Sequence, residues 1–130
     1  MRKIAARKGG KGASQAERAD RHVLYQLSVQ NVESEIDFVD ATYKKLRGKK
    51  AKVLREDFCG TGNTSCEWVR RRPSNRAYGV DIDPATLAWG RENNVTDLEG
   101  DGFERIELVE GDVLTAQTEK ADCLLAMNFS

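Results

Sequence analysis

The run Val53-Leu54-Arg55-Glu56-Asp57-Phe58-Cys59-Gly60-Thr61-Gly62 restricts the fold more than any other part of the chain. An apolar, extended start at 51–57 passes through acidic residues into a Gly-x-Gly turn. The segment 64–72 then has helical spacing and is stopped by Pro73. Glycines at such a turn let the backbone approach a ligand, and a following helix offers unpaired amides at its start. Thr64 and Glu67 have the spacing of a capping box. The pattern then repeats. Arg76–Asp81 reads as a second strand, Asp83 as a helix cap, Pro84 as the first residue of a helix running to Asn93, 105–109 as a third strand and 121–127 as a fourth. This βαβαβ order followed by β predicts an α/β chain with a Rossmann-like, doubly wound parallel sheet.

Upstream, the spacing predicts helices over 17–50. One covers 17–29, and a second is capped by Asn31, with Val32, Ile36, Val39, Tyr43 and Leu46 on one face, and ends at Gly48. Residues 1–16 form a basic tail whose Lys, Gly and Ser bias predicts disorder, leaving 51–130 as the binding domain. The first 52 residues are rich in Lys and Arg and residues 81–130 in Asp and Glu, although the total charge is +0. A basic front suits nucleic acid as a partner, but a solvated tail accounts for it more simply. No run approaches the ~18 apolar residues of a membrane helix, so the expectation is a cytoplasmic protein with no membrane partner. The 3 cysteines lack metal-ligand spacing, so no metal is expected.

Two further carboxylate clusters sit where strands end. Tyr78-Gly79-Val80-Asp81 places an acid about twenty residues past the glycines, where doubly wound folds hold ribose hydroxyls. Glu110-Gly111-Asp112-Val113 follows the third strand and offers an acceptor for an amino group. All three clusters fall at strand carboxyl ends, the edge at which open α/β sheets bind ligands. Other residues carry less. His22 in a helix reads as a packed or surface residue, Tyr25 and Trp68 as core, and Cys59 as a thiol with no base beside it.

Taken together, Glu56–Gly62, Gly79-Val80-Asp81-Ile82-Asp83-Pro84 and Gly111-Asp112-Val113 resemble motifs I, II and III of the class I S-adenosylmethionine-dependent methyltransferases. The resemblance implies S-adenosylmethionine as cofactor. Gly60 and Gly62 would bracket its methionine part, with Cys59 and Thr61 in the same loop. Glu56 would be the acidic residue of motif I, with Asp57 competing for that role. Asp81 would bind the ribose, Ile82 would pack on adenine, Asp112 would accept from the adenine amino group and Val113 would offer backbone nearby. Asn128 would face the reactive methyl group. Phe58 departs from the pattern, standing where a glycine is common, and Arg55 is free in sequence terms to pair with either acid or with the cofactor carboxylate.

The family's sheet has seven strands with the fourth at its centre. The chain therefore reads as the first half of that sheet, with Leu124, Leu125 and Met127 on an open edge that invites self-association. The methyl acceptor and the catalytic base are not indicated. Two other readings stay open. One is an NAD(P)-dependent oxidoreductase domain, against which Ser65 replaces the third glycine of Gly-x-Gly-x-x-Gly. The other is a non-catalytic module associated with nucleic acid.

Overall fold

In the computed structural model, which describes residues 15–126 (backbone alone for 15–30), the strand β1 (Val53–Asp57) is flanked on both sides by parallel neighbours. β2 (Arg76–Asp81) pairs with β1 on one side, β3 (Ile106–Glu110) pairs with β2, and β4 (Cys123–Leu125) pairs with β1 on the other side. The order is β3-β2-β1-β4, so the chain builds outward from β1 and then crosses back to its other side. The point where the order reverses, between β1 and β4, lies beside the glycine loop. This is the α/β doubly wound parallel arrangement expected from the alternation.

Register sorts the side chains onto two unlike faces. Leu54, Ala77, Ile106, Leu108, Cys123 and Leu125 share one face and join Trp68, Val69, Leu87 and Ile36 in the core cluster. The helices α1 (Gln15–Arg47), α2 (Asn63–Arg71) and α3 (Pro84–Gly90) supply that cluster, so the packed helices lie on this face. The opposite face carries Arg55, Asp57, Arg76, Tyr78 and Glu107 as well as the buried Val53 and Val80. Residues 111–122 cross it as a strap. Arg55 donates to the carbonyls of Val113 (2.8 Å) and Ala116 (2.9 Å), and Arg76 and Tyr78 both bond the Glu119 carboxylate.

Two local expectations are corrected. The upstream region is one helix, not two, and Asn31 lies within it. No Gly or Pro interrupts 17–47, so a good capping residue in mid-run does not stop a helix whose next turns still pack. Val39 and Tyr43 of this helix pack on the core, and Asp40 takes a paired contact from Arg72 (2.8 and 3.0 Å). The capping box is also absent. Gly62 is the N-cap of α2, in the left-handed region (φ 81), with no side-chain cap, so Thr64 is already inside the helix. Glu67 instead takes Arg71 at 2.7 Å, one turn on. Asp83 does cap α3, accepting from the amides of Ala85 (3.0 Å) and Thr86 (3.4 Å), with Pro84 as first residue. The strand expected over 121–127 is observed as Cys123–Leu125. Met127, Asn128 and most of the basic tail lie outside the described residues.

Candidate functional site at the carboxyl ends of β1, β2 and β3

The three carboxylate and glycine clusters meet. The amide of Gly60 donates to Asp81 Oδ2 at 2.9 Å, and the amide of Gly111 donates to the backbone carbonyl of Asp81 at 3.0 Å. Asp81 thus joins the loop after β1 to the loop after β3, from the end of the strand that lies between them. Its other oxygen accepts from the amide of Asp83 (3.0 Å), and the residue is 3% exposed. These two backbone bonds orient the carboxylate at the edge of the sheet.

The loop of residues 58–62 is shaped by three left-handed residues: Phe58 (φ 58), Gly60 (φ 60) and Gly62 (φ 81). The first explains why glycine suits position 58, since a bulky side chain is strained there. The Cys59 thiol is buried beneath Gly79, where an added Cβ would lie 2.8 Å from its sulfur, so Cys59 is a packing residue with no room to act as an exposed nucleophile. Thr61 is half-buried, and its carbonyl accepts from the side-chain amide of Asn94 (2.9 Å).

The two acids of β1 part company because neighbours on a strand face opposite ways. Asp57 turns to the strap face and pairs with Arg55 at 2.7 Å. Glu56 turns to the helix face, 4% exposed, and accepts from the hydroxyl of Ser65 (2.8 Å) and from its backbone at the start of α2. No ion pair reaches Glu56 among the described residues. Burial pushes its carboxyl up to about 8, partly offset by the Ser65 bonds and reinforced by the charges of Glu35 and Asp81. Burial also raises Glu35 and pushes the Cys66 thiol up to about 12.

Ile82 (71% exposed) and Leu114 (88%) stand on the rim beyond β2 and β3, with Phe58 beside the glycine loop. Asp112 is exposed. One of its oxygens accepts from the amide of Leu114 (2.8 Å), and its backbone carbonyl accepts from Thr115 and Ala116, which fixes the turn that opens the strap. The Val113 carbonyl is committed to Arg55. The site therefore gathers Glu56, Gly60, Thr61, Gly62, Asp81, Ile82, Asp112 and Val113 at one edge, while Asp57 points to the opposite face of the sheet. Asn128 lies outside the described residues.

Sequence reasoning missed Gly90 and Asn94, and it marked Ser65 only as the replacement of a third glycine rather than as the partner of Glu56. Gly90 and Asn94 lie in a region that reads only as the end of a helix. A glycine inside a helical pattern was the available signal, since it lowers helix stability and so points to a packing reason. A cavity of about 390 Å³ lined by Val69, Arg70, Leu98, Gly102 and Arg105 is a separate feature, near the start of β3 rather than its carboxyl end. No group of three or more metal-ligating side chains occurs among the described residues. No described helix is long and apolar enough to cross a membrane.

No family model matches the chain. Uncharacterized protein MJ1452 of Methanocaldococcus jannaschii is 32% identical over 68 residues, covering 52% of this chain and 25% of that protein. Among solved structures, the plantazolicin methyltransferase BpumL in complex with SAH superposes with a TM-score of 0.64 at 11% identity, covering 88% of this chain and 42% of that one. An RNA methyltransferase from Salinibacter ruber in complex with S-adenosyl-L-homocysteine gives 0.53 at 23% identity, covering 76% and 56%. The chain thus spans a quarter of the curated relative and about half of these structures. At such identities the likeness is one of architecture: the chain has the Rossmann-like fold of these methyltransferases.

Proposed function

We propose that this chain is the S-adenosylmethionine-binding portion of a methyltransferase. The observation that carries the reading is the convergence of Gly60, Asp81 and the Gly111-Asp112 turn at one sheet edge, held by bonds of 2.9 and 3.0 Å to Asp81. The donor set fits an adenosyl amino acid. Asp81 brings to this edge a carboxylate, the type of group that accepts from two vicinal hydroxyls, the second oxygen of Asp112 is suited to an exocyclic amino group, and the exposed Ile82 and Leu114 offer an apolar surface for a ring. Glu56, buried with no ion pair among the described residues, would ionise beside a cationic ligand group.

The cofactor supplies a sulfonium-activated methyl group when bound, so the protein's task is to align it and exclude water. On this reading Asp81 and Asp112 orient the nucleoside, and the loop of residues 58–62 holds the amino-acid end. The RNA and plantazolicin methyltransferases that share the fold act on unlike acceptors, so the fold does not select among them.

Calorimetric titration with S-adenosylhomocysteine tests the reading. Wild type is expected to bind, and Asp81→Asn, which keeps an oxygen for one backbone amide but loses the other acceptor, to bind at least about tenfold more weakly. A folded wild-type chain that gives no binding heat or thermal shift overturns it.

A further inference from the structure

We propose that Asn94 is a positioning residue that fixes the glycine loop in its ligand-receiving shape; the proposal rests on the reading of that loop as an S-adenosyl site. A loop with three left-handed residues in five has no ladder of its own to hold it. Its backbone is pinned by Cys59 N to Val80 O (3.0 Å), Gly60 N to Asp81 Oδ2 (2.9 Å) and Gly62 N to Cys59 O (3.1 Å), all of which act on its amides. The Thr61 carbonyl is held from outside the loop, by Asn94 Nδ2 at 2.9 Å, across 33 residues of sequence. That bond sets the plane of the peptide joining Thr61 to Gly62, the point at which the loop enters α2.

The segment that carries Asn94 is built for this approach. After α3 the chain opens into a π-helical turn, Arg91–Val95, closed by Thr96 N to Arg91 O at 3.2 Å. The wider turn changes the angle at which the following side chains project, and such turns recur at functional sites. Gly90, just before it, lies so near the loop that a Cβ would stand 2.3 Å from the Thr61 oxygen. Arg91 then donates to the Leu108 carbonyl at 2.6 Å and anchors the same turn to β3. The turn therefore braces the loop after β1 against β3. A loop ordered before binding loses less entropy when the ligand arrives.

The neighbouring Asn93 provides the control, because its amide bonds Trp89 O within its own helix at 2.9 Å. The experiment compares wild type, Asn94→Leu, Asn94→Asp and Asn93→Leu in the full chain by calorimetry with S-adenosylhomocysteine, amide hydrogen exchange and melting. Asn94→Asp keeps the shape but replaces the donor with an acceptor, and it serves if the leucine variant does not fold. Asn94→Leu and Asn94→Asp are expected to weaken binding by about tenfold and to speed exchange at Gly60–Gly62, with Asn93→Leu matching wild type. Unchanged affinity and loop exchange in Asn94→Asp, or an equal loss in Asn93→Leu, overturns the proposal. If wild type itself fails to bind, the functional reading falls, and with it the ligand-positioning role, while loop exchange still reports whether Asn94 holds Thr61.

Discussion

Glu56 shows how position decides what a carboxyl does. It follows Arg55 and precedes Asp57, yet Asp57 turns to a guanidinium while Glu56 is sealed against Ser65. Burial raises its proton affinity to about 8, above the ordinary 4.5 that it regains on unfolding. Between those values the folded chain keeps a proton that the unfolded chain releases, so stability is greatest below the lower value and declines as pH rises toward the upper one. Glu56→Gln removes this dependence. Relative to wild type it is expected to gain stability from pH 5 to pH 8.5, on the order of a few kcal/mol, measured by urea unfolding at both values. A constant difference across that range would contradict the burial argument. The sequence marked the pair of acids but left open which faced the site, because that choice depends on strand phase, and phase is fixed only once Leu54 is seen to face α2. It marked Phe58 as a departure from the motif, and the left-handed backbone there supplies the reason.

Among the elements, α3 and its π-helical extension were the hardest to read. Asp83 and Pro84 announced the start correctly because caps are local chemistry. The end depended on Gly90 meeting Thr61, and although a glycine in a helical pattern hints at a packing reason, nothing local names a partner so far away in sequence. Gly90 has an ordinary helical backbone (φ −62), so alanine would be favoured there by up to about 1 kcal/mol on propensity alone. The backbone oxygen 2.3 Å from its Cβ cannot swing aside. Overpacking of that kind costs about 1–3 kcal/mol, so Gly90→Ala is expected to lower stability rather than raise it, as a drop in melting temperature would show. In the single long α1, a polar residue at Asn31 suggests an interruption, but the packing of Ile36, Val39 and Tyr43 and the bonds from Arg71 and Arg72 to Asp37 and Asp40 hold only the part of the helix after it.

For the molecule as a whole, strand alternation was enough to give the parallel sheet, whereas the pairing of β4 with β1 is seen only in the structure. It did not give the strap. No local pattern marks residues 111–122 as a strap, and only Arg55, Arg76 and Tyr78 on β1 and β2 reveal where it docks. Its far end is fixed by Asp122, whose carboxylate accepts from the amides of Lys52 (2.8 Å) and Val53 (3.0 Å) and is held below the usual carboxylate range by them. β4 is only three residues long. Asp122→Ala is therefore expected to speed amide exchange in Cys123–Leu125 by about tenfold, while the interior of β2 stays protected. Equal acceleration in both strands would show that β4 is not separately anchored.

The unlike faces of the sheet carry a consequence for its response to dissolved electrolyte. Ions that screen charge weaken the contacts of Arg76 and Glu119 beneath the strap, whereas excluded salts such as sulfate reinforce the apolar layer under the helices. The same solution thus loosens one side of the sheet while tightening the other.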